Sequence, residues 1–174
     1  MDFELGRVTA DERVMLERLL QLHLYEIGME PGPDGLIDWG ESLDDFFTGQ
    51  EHMPLFLKVD GGIVGFALVK LNRRLVDADG HTPVSANFVG QFFVLRPHRR
   101  RKFGTNAARR IFIQYPSTWM ISCWPDPGRV RFWRHVAREC AESIVREYGP
   151  DEHKGFPGQH VWVIGPDKCA DQSP

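Results

Sequence analysis

A chain of 174 residues has the length of one domain that buries a full core, and two domains would be cramped in it. Hydrophobic residues at 42% and charged residues at 26% exclude disordered and fibrous classes. The net charge of −3 hides an uneven distribution. Between Arg96 and Arg138 eleven Lys or Arg stand against one acid, Asp126, a local balance of +10 that leaves −13 to the remainder. Such asymmetry suggests an anionic ligand at one part of the molecule.

The chain opens on "MDFELGRVTADER", which lacks the basic-then-apolar order of a leader peptide, and no window approaches 18 consecutive apolar residues. A cytoplasmic protein without a membrane partner is expected. Cys123, Cys140 and Cys169 are odd in number and widely spaced, so they are read as reduced thiols without a catalytic task, and no metal site is expected.

Thr9 and Glu12 form a capping-box pattern ahead of a helix that closes at Gly28. Leu16, Leu19, Leu20, Leu24 and Ile27 fall on one face, with His23 near its apolar edge as a core or boundary residue. "MEPGPDGLIDWGESLDDFF" reads as an acidic loop with a short helix near Leu43 to Phe47, a plausible cover over a substrate. "PLFLKVDGGIVGFALVKL" is a hairpin turning at Asp60-Gly61-Gly62. A polar turn region over 72–83 leads into the strand "VSANFVGQFFVL", with Gly90 as a bulge site. Three sequential antiparallel strands are predicted here.

The spacing then predicts a helix from Gly104 to Tyr115, a buried strand in "TWMISCW", and a long helix over 129–148 whose stripe is Phe132 or Trp133, Val136, Cys140, Ile144 and Tyr148. "QHVWVIG" supplies a last strand. The fold class is mixed α and β: a central, largely antiparallel sheet with helices on both faces, forming a single domain over 1–166 with a tail over 167–174.

The densest charge lies in "RPHRRRKFGTNAARR", seven Arg and Lys around one Gly, where a strand gives way to a helix. First-turn N–H groups are unpaired and the helix dipole favours an anion, so this arrangement suits a phosphate. Nucleic-acid binding through "HRRRK" fits less well, because the run is short and the chain as a whole is acidic.

"FFVLRPHRRRKFGTNAARRIF", followed after a strand by "DPGRVRFWRHV", resembles the GCN5-related N-acetyltransferase (GNAT) family, in which a Q/R-x-x-G-x-G/A loop after a central strand binds the pyrophosphate of acetyl-CoA. Arg99 takes the first position, Lys102 stands at the first Gly and Gly104 at the second. A Lys there is compatible with a negative φ and an outward side chain. Asp126 stands where an Asn is usual, Arg129 where a small residue is usual, and Trp133 where a Tyr often protonates the leaving thiolate; Trp has no acidic proton to give.

The resemblance implies direct attack of a primary amine on acetyl-CoA in a ternary complex. Phe92, Phe93 and Val94 would pair with the pantetheine arm, with Val94 N–H as donor to the thioester oxygen. Arg99, Arg100, Arg101, Lys102, Phe103, Gly104 and Thr105 would surround the phosphates, and Asp126 and Trp133 would complete the cofactor site. Gln91 occupies the strand position where relatives often carry a Glu base, and Gln cannot serve as one. His81, Glu41 and Asp38 are the other candidates for the base, beside a water chain. The departures at Lys102, Gln91 and Trp133 leave open a CoA-binding module with little catalysis. The acceptor stays unspecified, and a monomer or homodimer is expected.

Overall fold

Residues 2–139 and 145–165 are described by the computed structural model. Asp60 and Gly61, both at positive φ (49° and 80°), make the tight turn in which both central residues must be left-handed. It joins β2 (His52–Val59) to β3 (Gly62–Val76). β4 (Pro83–Val94) returns antiparallel along β3. Leu68 faces Gln91 while its neighbour Val69 faces Val89, so Gly90 is the extra residue of a bulge, at the position its sequence context suggested.

Among the described residues the sheet has seven strands in the order β1-β2-β3-β4-β5-β7-β6, with β1 at Phe3–Arg7, β5 at Trp119–Cys123, β6 at Val145–Tyr148 and β7 at His160–Ile164. All pairings are antiparallel except β4 with β5. Period-two alternation sends neighbouring residues to opposite faces. Phe56, Phe66, Leu68 and Phe93 meet Leu16, Leu20 and Leu24 of α1 (Arg13–Glu26) and Phe46 of α2 (Asp45–Thr48). On the other face Leu57, Ala67, Val69, Val89 and Trp119 meet Ala107 and Ile111 of α3 (Phe103–Gln114) and Trp133 and Val136 of α4 (Pro127–Glu139). The mixed sheet covered on both faces is thus the one expected. At the start of α1 the Glu12 carboxylate accepts from Thr9 N–H at 3.1 Å.

Three expectations need correction. Phe3–Arg7, assigned no element by its sequence, is an edge strand; five residues carry too little pattern, and pairing with Leu55–Val59 decides the matter. β3 continues to Val76, well into the supposed turn region, because Asn72 (φ 50°) takes up an irregularity where its N–H is accepted by Asn87 Oδ1 at 3.1 Å; the turn itself closes at Asp77 N–H to Thr82 O, 2.9 Å. The last helix is described as far as Glu139, and Val145–Tyr148, inside the predicted helix, is a strand paired to β7. Val136 to Tyr148 satisfies a helical period on paper, but four residues at its end fit a strand equally well. Tertiary contact settles it: Glu147 holds Arg134 of α4 in a forked pair, with Nε 3.0 and 3.1 Å from its two oxygens. Cys140, Ile144 and the tail over 167–174 lie outside the described residues.

Candidate active site

β4 pairs with β5 through Asn87, Phe88 and Val89. Past the Gly90 bulge it stays on β3, with Gln91, Phe92, Phe93 and Val94 opposite Leu68, Ala67, Phe66 and Gly65. The two parallel strands part there. Leu95 N–H donates to Val64 O at 2.9 Å, and ladder groups alternate sides along a strand, so Val94 N–H faces away from β3 and into the opening. Gly65 permits this arrangement, since a Cβ at that position would collide with the Phe93 carbonyl oxygen.

A cleft of about 720 Å³ occupies the opening. It brings together Phe92, Phe93, Val94, Arg99, Arg100, Lys102, Phe103, Gly104, Thr105, Asp126 and Trp133. Arg101, Gln91, His81, Glu41 and Asp38 do not line it. His81 sits on the turn at the opposite end of β4, its N–H donated to Asp77 Oδ1 at 3.2 Å. Eleven strand residues, Pro83 to Phe93, separate that turn from Val94, roughly 35 Å at the usual rise, which sets His81 far from this cleft. Glu41 holds the buried ammonium of Lys70 at 2.5 and 2.6 Å, and Asp38 accepts from Gly40 N–H within its own loop.

The loop between β4 and α3 corrects the expectation for Lys102. Its φ is +63° and ψ 2°, the left-handed conformation that glycine adopts freely, and Arg100 also has φ +63°. Lys102 therefore takes up a backbone conformation that a Gly would adopt freely, at the cost a Cβ brings. Two positive-φ residues separated by Arg101 turn successive N–H groups to one side, as in an anion nest. The chain then enters α3, whose first turn leaves the N–H groups of Phe103, Gly104 and Thr105 without helical partners. Gly104 is there for space: a Cβ would lie 3.1 Å from the Phe132 ring and 3.5 Å from Val94 Cγ2.

Two cleft residues have structural tasks. The Asp126 carboxylate caps α4, accepting from Arg129 N–H at 2.8 Å, and that bond chiefly holds it below its ordinary pKa. Trp133 is buried in the core, edge-on to Phe92 at 5.2 Å and to Phe132 at 4.9 Å. Cys123 is buried too, and burial pushes its thiol up to about 11, so it is no thiolate nucleophile.

Sequence reasoning missed the contribution of α1. Glu26 receives Arg99 at 2.5 Å and Arg96 at 3.0 Å, and Arg99 Nε also donates to Val94 O at 2.7 Å while its guanidinium lies over Phe93. Burial alone would raise the Glu26 carboxyl; the hydrogen bonds and charges of Arg99 and Arg96 outweigh it and hold it below its ordinary value. One turn back, His23 lines the cleft with its Nε2 at 2.9 Å from Gln91 Oε1. Burial pushes this ring down to about 4, against the pull of Gln91 and Glu26 and with the help of Arg129 and Arg99. The signal was available: His23 and Glu26 are three apart, on one edge of an otherwise apolar helix face.

No protein-family model and no curated protein matches the chain by sequence. Solved structures do match by shape. An acetyltransferase from Thermus thermophilus superposes with a TM-score of 0.64 at 15% identity, covering 94% of this chain and 96% of that one. A GNAT-family acetyltransferase from Staphylococcus aureus gives 0.61 at 11%, covering 94% and 99%. A diaminobutyrate acetyltransferase from Paenibacillus lautus, in complex with L-2,4-diaminobutyric acid and coenzyme A, gives 0.59 at 17%, covering 95% of each. These superpositions show that the chain has the fold of the GNAT acetyltransferases.

Proposed function

We propose that the protein is an acetyl-CoA-dependent N-acetyltransferase that transfers the acetyl group to a primary amine by direct attack in a ternary complex. One observation carries the reading. The free edge of β4 and the cationic N-terminus of α3 line the same cleft, so an extended amide-bearing arm and a diphosphate can be held by one ligand. CoA has both.

In this reading the backbone of Phe92 to Val94 pairs with the pantetheine amides as an added strand. Val94 N–H polarises the thioester oxygen, and its position on a paired strand fixes it before the reaction begins. The N–H groups from Arg100 to Thr105 receive the diphosphate, with Lys102, Arg100 and Arg129 adding charge. Arg99 is committed to Glu26 and Val94 O, so it braces the loop and the strand end. Asp126 acts indirectly by starting α4, and Trp133 by backing Phe92 and Phe132.

Calorimetric titration with CoA and acetyl-CoA tests the cofactor. Release of free thiol with a panel of primary amines (an alkyl monoamine, a diamine, an amino-acid amide and a peptide N-terminus) tests the transfer. Saturable binding with thiol release above the hydrolysis background is expected. Absence of binding at millimolar CoA would reject the proposal, and tight binding without turnover would reduce the protein to a CoA-binding module.

A further inference from the structure

We infer that His23 is a catalytic residue that orients the acceptor amine through Nδ1 and relays its surplus proton to the departing CoA sulfur, with Gln91 as the positioning residue that fixes the imidazole. This rests on the N-acetyltransferase reading. It stands on geometry first. His23 lines the cleft from α1, as does Glu26, and its ring lies next to Phe93, at 5.1 Å between ring centroids, one residue from Val94. Phe66 closes the other side of the ring edge-on at 5.9 Å. Nε2 is taken by Gln91, which leaves Nδ1 for a ligand.

The pairing also selects a tautomer. A neutral imidazole has one donor and one acceptor nitrogen. With Nε2–H donated to the Gln91 carbonyl oxygen, Nδ1 presents a lone pair, the arrangement a proton acceptor needs. A Glu at position 91 would compete for that proton and pull the ring towards imidazolium. Gln91 therefore gives up the role of base and fixes the group that takes it over.

The charged groups facing His23 are Glu26 on its own helix, Arg99 on the phosphate loop and Arg129 on α4, with Gln91 on β4. Burial, helped by Arg129 and Arg99 and opposed by Gln91 and Glu26, keeps the ring neutral near pH 7. Such a weak base cannot deprotonate a free ammonium, so the acceptor enters already neutral, its first proton lost to solvent. The amine nitrogen forms its bond to the carbonyl carbon, and the carbonyl pair moves to the oxygen held by Val94 N–H. The pair returns as the C–S bond breaks. The nitrogen, becoming an amide, is now far more acidic than imidazolium, so its extra proton passes to Nδ1 and from there to the thiolate. Products are the N-acetyl amine and CoA thiol, and no further reactant is required. The relay supplies the thiolate proton that Trp133 cannot give.

His23→Phe keeps the aromatic packing and removes the nitrogens, and His23→Asn is a second variant should the first fold poorly. Measured with acetyl-CoA and the best amine of the panel, kcat should fall about 100-fold or more, with CoA affinity within threefold. Over amines of differing basicity, the pH at which kcat/KM levels off should follow the amine's own pKa. Nitrogen-15 spectra of the wild-type protein at pH 6.5 should show His23 neutral with the proton on Nε2. Gln91→Leu should lose that single tautomer and most of kcat while retaining CoA binding, effects that a packing role for His23 would not produce.

Full activity in folded His23→Phe or His23→Asn overturns this proposal alone, as does a charged or Nδ1-protonated ring in the spectra. Wild-type protein that does not bind CoA, or binds it and acetylates no amine, overturns the N-acetyltransferase reading and the relay together.

Discussion

Replacing Lys102 with Gly gives the phosphate loop a test that separates backbone from charge. Lys102 sits at φ 63° and ψ 2° immediately before α3, where an L side chain costs about 1–2 kcal/mol relative to its usual regions. Glycine removes that strain but loosens the unfolded chain, a loss of about 0.4–1 kcal/mol. The net expectation is a gain of about 0.5–1 kcal/mol, a rise in Tm of about 1–4 °C for a domain of this size. The N–H groups of Phe103 to Thr105 stay where they were, and one exposed positive charge is lost. An exposed charge contributes about 0.2–1 kcal/mol, so CoA should bind within about fivefold of wild type at moderate salt. Lys102→Ala is the control: it loses the same charge and keeps the strain, so it should show the affinity change without the gain in Tm. Thermal melts and calorimetry on the three proteins decide the matter. If Lys102→Gly melts below wild type, or loses tenfold in CoA affinity where Lys102→Ala does not, the left-handed turn is not what shapes this site.

The β-edge has a harsher test in Gly65→Ala, whose Cβ meets the Phe93 carbonyl oxygen. Urea unfolding should show a loss of about 1–3 kcal/mol or more, with CoA affinity falling at least tenfold because Phe93 and Val94 must move; a near-neutral outcome would mean the strands shift freely. Glu26 titrates below its ordinary value of 4.5, so its contribution to stability is complete above the unfolded-state pKa and is lost as pH falls through the lower folded value. Glu26→Gln should therefore flatten the decline of Tm between pH 5 and 3, and an unchanged acid limb would dismiss the pair with Arg99 and Arg96. Trp133→Phe should destabilise by about 1–2 kcal/mol yet leave kcat and the pH–rate profile in place, whereas a large fall in kcat in the folded variant would restore Trp133 to the chemistry.

Most of the architecture was legible because it rests on local signals that tertiary contacts reinforce. The Asp60-Gly61 turn, the Gly90 bulge and the basic turn before Gly104 each stand where their sequence placed them. Phe3–Arg7 and Val145–Tyr148 were illegible for the opposite reason. Both are short edge strands whose pattern is too brief to choose a period, and partners far along the chain choose for them. His81 failed as a candidate because proximity in sequence to a strand says nothing about which end of that strand carries the site. The contribution of α1 was half visible: the polar edge made by His23 and Glu26 is a local signal, but Glu26 reaching residues 70 and 73 positions away is a relation that no local pattern encodes.

In the acetyltransferase reading, three of the departures from the family pattern have different physical consequences. At Lys102 the left-handed backbone is that of a glycine, which would leave the N–H groups available to a phosphate at a local cost. At Trp133 the aromatic ring packs inward against Phe92 and Phe132, giving rigidity beneath the cleft where a Tyr would offer a proton. At Gln91 an amide contacts His23 where relatives often carry a Glu, and the relay would place the proton chemistry on α1. A carboxylate on β4 would take up protons from solvent as pH falls. The His23 imidazole, pushed down to about 4 by burial, takes up solvent protons only near that pH, so in mild acid its protonation changes only during the reaction. If the relay operates, activity in this protein should be insensitive to mild acid beyond the titration of the amine itself. Gln91→Glu should then install an additional limb by raising the basicity of His23, readable as a new ionisation in kcat/KM that is absent from the wild type and from Gln91→Leu.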